Sequence, residues 1–354
     1  MNKVLKLLYA TGAALTGLLA GACTQESPVT YPPKAEPEPV VFERGAFAKG
    51  ADVSWVTQLE AAGYTFQNRD GQSKELMTLL RDDCGVNSIR LRVWVEPGND
   101  PVVEGWCDIN DVLVKARRAS ALGMRLMIDF HFSDTWADPG KQYMPAAWEG
   151  MSLAEVKTAM AAHVTEMLGL LQANGIEPEW VQIGNETRTG MMWPLGSTDN
   201  GDNFTQMLNA GYDAVKSIFP EAAVIVHVDC GNESYLYDYL FGKITAEGAR
   251  YDMIGMSLYP EADSWQTYVD DCVANIARVQ KAYGKPVMLC EIGMDYDQPE
   301  AAGKMMSEIM AKGKAAGLQG IFWWEPEAPV NRGYRKGCFD ENGAPTEALN
   351  AFIE

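Results

Sequence analysis

The stretch 180–186, WVQIGNE, runs apolar and then ends on an amide and a carboxylate, Asn185 and Glu186. A second apolar run, PVMLCEI at 286–292, carries Glu291 near its end. Two carboxyl groups at the tips of apolar segments suit a reaction in which one holds a proton while the other stays charged. Glycoside hydrolysis is such a reaction. In its retaining mode the two groups flank the scissile bond about 5–5.5 Å apart, one as nucleophile and the other as acid and then base. The acid needs surroundings that raise its pKa, whereas the nucleophile needs hydrogen-bond donors. Arg90 and Tyr259 are candidate donors to Glu291. Asn185 is a candidate partner for a sugar 2-hydroxyl, a contact that strengthens in the transition state. One strand-end glutamate alone would be read as a rim salt bridge; the pair, with Asn before the first, is read as a site.

The pair needs a scaffold that brings distant segments to one rim. Strand-like apolar runs lie at 48–55, 86–94, 124–132, 180–186, 223–229, 252–259, 286–292 and 320–325, each separated by enough chain for a helix. One helix is well signed, with Ser152 and Glu155 as a capping box and Gly175 as its stop. Alternating strands and helices with near-continuous apolar strands imply an α/β fold with a parallel sheet. Eight such units imply a closed (β/α)8 TIM barrel, with functional groups at the C-terminal strand ends. Those ends carry Asp52; Arg90, Arg92 and Trp94; Asp129 and His131; Asn185 and Glu186; His227 and Asp229; Tyr259; Glu291; and Trp324 with Glu325. A purely structural barrel would end its strands blandly.

Composition narrows the partners. The 354-residue chain is 47% hydrophobic, enough for a large core without metal or disulfide staples. A net charge of −19 argues against nucleic acid and anionic polymers and leaves a neutral polymer open. Ten Trp and 14 Tyr provide flat faces suited to sugar rings, although most aromatics are simply core. The 18 Met are read as core filler. Residues 1–22 read as a secretory signal: Lys3 and Lys6, an apolar run, then small residues up to Cys23. Cys23 after Leu-Ala-Gly-Ala resembles a bacterial lipoprotein site, with an ordinary cleaved signal as the other reading. The expectation is a lipidated Cys23, a proline-rich tether over 23–41, and one catalytic domain over 42–354. That places a monomer on the cell envelope, at the outer membrane, held only by its lipid. The remaining six cysteines show no zinc spacing, and disulfides and free thiols stay equally open. No metal and no cofactor are expected. His163 is read as a surface or edge histidine on its helix, while His227 is read as lining the cleft or as a satisfied core residue.

The supporting stretches are KGADVSWVTQLEAAG (49–63), IRLRVWVEP (89–97), DFHFSDTWADPGKQ (129–142), PAAW (145–148), QIGNE (182–186), MMWPLG (191–196) and FWWEP (322–326). With Asn-Glu on the fourth strand and Glu on the seventh, the chain resembles clan A of the glycoside hydrolases. It is most similar to family 53, the endo-β-1,4-galactanases. The resemblance implies a retaining enzyme that cuts internal β-1,4-galactosidic bonds in galactan and type I arabinogalactan, the side chains of pectin. It matches Glu186 to the acid/base and Glu291 to the nucleophile. Asn185, Arg90, His131 and Tyr259 match substrate-binding positions around the sugar at the cleavage point, and Trp324 the platform beneath it; Asp129 is a further substrate-binding candidate from its strand-end position alone. Trp94, Trp136 and Trp148 fall in family stretches and are expected to flank the cleft. Thr187 and Arg188 depart from the family, which often carries an apolar residue after the acid/base. Some bacterial relatives hold calcium in a long loop after strand seven. Here IGMDYDQPE is short, and Asp295 and Asp297 alone are too few for calcium. Other readings are a clan A mannanase or cellulase, and a non-catalytic glycan-binding lipoprotein.

Overall fold

The computed structural model describes residues 43–100, 103–330 and 333–353, which belong to one compact unit, Pro39–Glu354. The expected signal, Cys23 and tether lie outside the described residues. Eight parallel strands form a closed barrel: β1 (Ala48–Asp52), β2 (Ser88–Val93), β3 (Arg125–Phe130), β4 (Trp180–Ile183), β5 (Ala223–Val228), β6 (Met253–Leu258), β7 (Val287–Ile292) and β8 (Leu318–Trp324). All eight expected strands are present. The barrel closes where β8 pairs with β1, Ala48 opposite Gly320 and Asp52 opposite Trp324. Helices α1 (Val56–Ala61), α2 (Leu76–Cys84), α3 (Ile109–Ala121), α4 (Leu153–Ala173), α5 (Asn203–Ile218), α6 (Ser234–Ala246), α7 (Trp265–Tyr283), α8 (Pro299–Ala315) and α9 (Asn350–Ile353) complete the units. Among the described residues no helix is long and apolar enough to cross a membrane.

Side chains alternate along each strand, and this splits the apolar residues into two cores. Residues facing outward, such as Ile89, Leu91, Ile128, Val181 and Leu289, pack beneath the helices in one large cluster. Residues facing inward at the lower end of the barrel form a second: Met127, Trp180, Ile225, Met288, Cys290 and Phe322. This inner plug is tight. A Cβ added at Gly50 would meet the Phe322 ring at 2.2 Å, so only glycine lets that ring cross the barrel. The six cysteines in the described chain are free thiols, five of them buried, which settles the disulfide question there.

Helix α4 starts as expected, with Ser152 and Glu155 exchanging the reciprocal capping bonds, and Gly175 follows it at φ 68°. His163 on α4, however, is not at the surface. Its ring is buried among Phe130, Phe132 and Trp148, at 5.6, 6.5 and 6.3 Å between centroids. Met167 follows it one helical turn later among the buried residues of α4, and Nε2 has no hydrogen-bond partner among the described residues. Burial therefore favours the neutral ring and lowers its pKa to about 4. The unfolded chain takes up this proton near pH 6.5. Stability from His163 is complete above that pH and is lost as pH falls toward 4, by roughly 3 kcal/mol at most. Urea unfolding at pH 7 and pH 4.5 should show a smaller acid loss for His163→Phe than for the parent; equal losses would mean the ring is not held neutral.

Candidate active site

Above the apolar plug, the next inward layer is polar, and strand register sets who meets whom. Asp52 lies opposite Arg90, Asp129 opposite Gln182, and Ser257 opposite Glu291. Glu291 reaches this layer through an irregularity. Cys290 already faces the inner plug, so strict alternation would turn Glu291 outward. The β6–β7 register shifts between Met256 and Ser257, which brings Glu291 inside as well. Four strand tips also hold a non-glycine residue in the left-handed region: Phe132 (φ 50°), Glu186 (φ 48°), Cys230 (φ 49°) and Glu325 (φ 46°). Such strain collects where side chains must be re-aimed.

Arg90 is fully buried at the centre of this layer. Its guanidinium donates to Asp52 at 2.7 Å, Asp129 at 2.8 Å and Asn185 Oδ1 at 2.9 Å, and stands 3.0 Å from Glu291 Oε1. Tyr259 donates to the other Glu291 oxygen at 2.7 Å. Asp129 also takes His131 Nε2 at 2.9 Å and Gln182 at 2.6 Å. His131 Nδ1 is left to accept from the Trp94 indole and the Ala137 N–H, each at 3.4 Å. Glu291 thus has two strong donors. Burial still raises its pKa; Arg90 and Tyr259 oppose this, and the charges of Asp129 and Asp52 weaken the pull of the shared cation.

Glu186 is differently placed. Ser257 donates to its Oε1 at 2.7 Å, and no cation among the described residues pairs with it. Ser257 is in turn 2.8 Å from His227 Nε2. Since the hydroxyl gives its proton to Glu186, Nε2–H must donate to Ser257. Nδ1 then accepts from Gln182 at 3.0 Å and from the Glu186 N–H at 3.4 Å, and it also lies 3.1 Å from Asn185 Oδ1, whose own donors are Arg90 and Gln182. His227 is a satisfied, neutral buried ring, its pKa lowered by burial and by Arg90. Burial, and then the charge of Glu291, push Glu186 well above the carboxylate range. Of the two, Glu291 ionises first and Glu186 keeps its proton.

Both glutamates open on one cavity of about 640 Å³, lined also by Trp55, Trp136, Trp324, Tyr334, Asp229 and Asn232. His131, Asn185 and Tyr259 reach its wall, as expected from the sequence. Three expected binding residues do not. Arg90 and Asp129 are sealed beneath the wall, where they orient other groups, and Trp94 is buried behind Trp136, 5.2 Å away ring to ring. Trp148 packs on His163 instead. Trp55 and Ser257 also line the cavity, although neither residue type nor spacing marks them in the sequence apart from the register. Arg188, one of the departures from the family pattern, pairs with Asp229 at 3.1 Å on the cleft's β5 side. Asp295 and Asp297 pair with Lys336 and Arg335, and no group of metal-ligating side chains occurs among the described residues. Arg90→Met should cost about 3–5 kcal/mol in urea unfolding at pH 7, because buried carboxylates would lose their common cation. A loss below about 1 kcal/mol would mean that they do not depend on it.

The model of "Glycosyl hydrolase family 53" matches residues 48–308. The probable arabinogalactan endo-β-1,4-galactanase A of Aspergillus terreus is 33% identical over 321 residues, covering 82% of this chain and 89% of that one. Among solved structures, a fungal β-1,4-galactanase superposes with a TM-score of 0.79 at 27% identity, over 86% of this chain and 98% of its own. The family 53 catalytic domain of Ignisphaera aggregans gives 0.78, also at 27% identity, over 89% and 97%. With three-quarters of its length matched by the family model and a barrel of the same form, this chain belongs to glycosyl hydrolase family 53.

Proposed function

We propose that the protein is a retaining endo-β-1,4-galactanase that cuts internal bonds of galactan and of type I arabinogalactan, releasing galacto-oligosaccharides. The carrying observation is that Glu186 and Glu291 share one cavity in opposed surroundings, one bonded only to a serine and the other to a cation and a phenol. In the first step Glu291 attacks the anomeric carbon while Glu186 gives its proton to the glycosidic oxygen, so the leaving chain departs neutral. In the second, Glu186 takes a proton from water, whose oxygen displaces Glu291 and restores both groups. In this reading Asn185 holds the 2-hydroxyl and Trp324 carries the sugar ring, both lining the cavity beside the carboxyl pair. His131, Tyr259 and Trp136 complete the walls. Other clan A specificities, mannanase or cellulase, are disfavoured by the family match. A non-catalytic binding protein has no use for a carboxyl pair tuned apart. The signal at residues 1–22 fits an envelope lipoprotein anchored through Cys23 and working as a monomer, and the net charge of −19 leaves a neutral polymer as its substrate. Radiolabelled palmitate should enter the full-length chain and be lost in Cys23→Ala; label retained in that variant would contradict the anchor.

Azide separates the two glutamate roles on a nitrophenyl β-galactoside. Glu186→Ala should accumulate the intermediate and yield the β-galactosyl azide, whereas Glu291→Ala should yield the α-azide by direct displacement. Both should lose at least about 10³-fold on galactan, where the leaving group needs a proton. The reverse pattern of azide products would exchange the two assignments, and near-normal galactan cleavage in either variant would remove it from the pair.

A further inference from the structure

Arg92 takes no part in the steps above, yet its surroundings are unusual. It is fully buried, with one guanidinium nitrogen bonded to Glu325, while Nε and the second terminal nitrogen have no oxygen partner. What surrounds them is aromatic. The guanidinium carbon lies 4.6 Å from the Trp136 ring centroid, 5.0 Å from Trp94, 5.5 Å from Trp55 and 5.9 Å from Trp324. Three of these rings line the cavity, and they meet one another edge to face: Trp55–Trp324 at 5.5 Å, Trp55–Trp136 and Trp136–Trp324 at 5.8 Å. Glu325 completes the arrangement by accepting the Trp55 backbone N–H at 3.1 Å with its other oxygen. The left-handed turn at Glu325 lets Trp324 enter the cleft while the carboxylate dips beneath it.

We propose that Arg92 is a positioning residue for substrate, its hidden guanidinium fixing Trp55, Trp136 and Trp324 as one preset wall that stacks on successive sugars of the bound chain. A guanidinium suits this role because its flat, weakly hydrated faces stack on rings where an ammonium would seek oxygen. Rings locked before binding need no ordering when the sugar arrives. The inference rests on the galactan reading above and concerns affinity along the chain, not bond cleavage.

Arg92→Lys keeps the charge and loses the planar face. Galactotetraose is titrated by calorimetry into Glu186→Gln protein with and without Arg92→Lys, and kcat and KM are measured for Arg92→Lys on galactan and on a nitrophenyl β-galactoside. The expected result is a rise of about tenfold in the galactotetraose Kd and in KM for galactan, with kcat within about twofold. KM for the aryl galactoside, whose single sugar rests on Trp324 alone, should move less than about threefold. The pair Arg92→Met/Glu325→Gln, which removes both buried charges together, should show the same split if Arg92→Lys does not fold. Unchanged galactotetraose affinity in a folded variant, or equal losses on both substrates, would overturn the role. Galactan left intact by the parent would contradict the activity reading alone, and the titration would still decide on Arg92.

Discussion

A guanidinium with no access to water needs at least one compensating negative charge, and Arg90, at the centre of the barrel, gathers three. Asp52, Asp129 and Glu291 come to it from three strands, and Asn185 from a fourth. Burial makes each contact costly to break, so the four strand ends are locked to one another. The arrangement also leaves a particular imbalance. One cation is shared by three carboxylates, so its pull on Glu291 only partly offsets burial, and the pKa of Glu291 stays raised, to about 7. Glu186, across the cavity, has only a serine and therefore keeps its proton. Two identical side chains acquire opposite chemistry from their neighbours, as retaining glycoside hydrolysis requires.

Beneath and beside this polar layer, the barrel supplies rigidity by simple means. The inner plug of Met127, Trp180, Ile225, Met288, Cys290 and Phe322 closes the floor, and the outer core ties the strands to the helices. His227 and Ser257 carry the order upward to Glu186 as a hydrogen-bond chain. Arg92 and Glu325 do comparable work for the aromatic wall. The site has a buried ionic part for the reacting centre and a buried cation–aromatic part for the chain that passes over it.

Much of this was legible in the sequence, for identifiable reasons. Eight apolar runs separated by helix-length segments specify a parallel barrel, and a barrel places Glu186 and Glu291 on one rim whatever the details. Depth below the rim was not legible. Arg90, Asp129 and Trp94 look like cleft residues in a list of strand ends, but the register puts them under it. The shift at β6–β7 that turns Glu291 inward leaves no mark on the alternation of residue types. Nor does helical period alone distinguish a histidine at the edge of α4 from one pressed against Phe130. Such features depend on how neighbouring elements settle together, which a single segment does not record.

On the proposed mechanism, the donors around Glu291 make it the nucleophile. A slow substrate, 2,4-dinitrophenyl 2-deoxy-2-fluoro-β-galactoside, tests it directly, because the fluorine slows release of the covalent intermediate. Intact mass should rise by one fluorogalactosyl group per chain, and peptide mapping should place that group on Glu291. A label on Glu186 or on another carboxylate, or steady turnover with no adduct at any stage, would rule Glu291 out as the nucleophile.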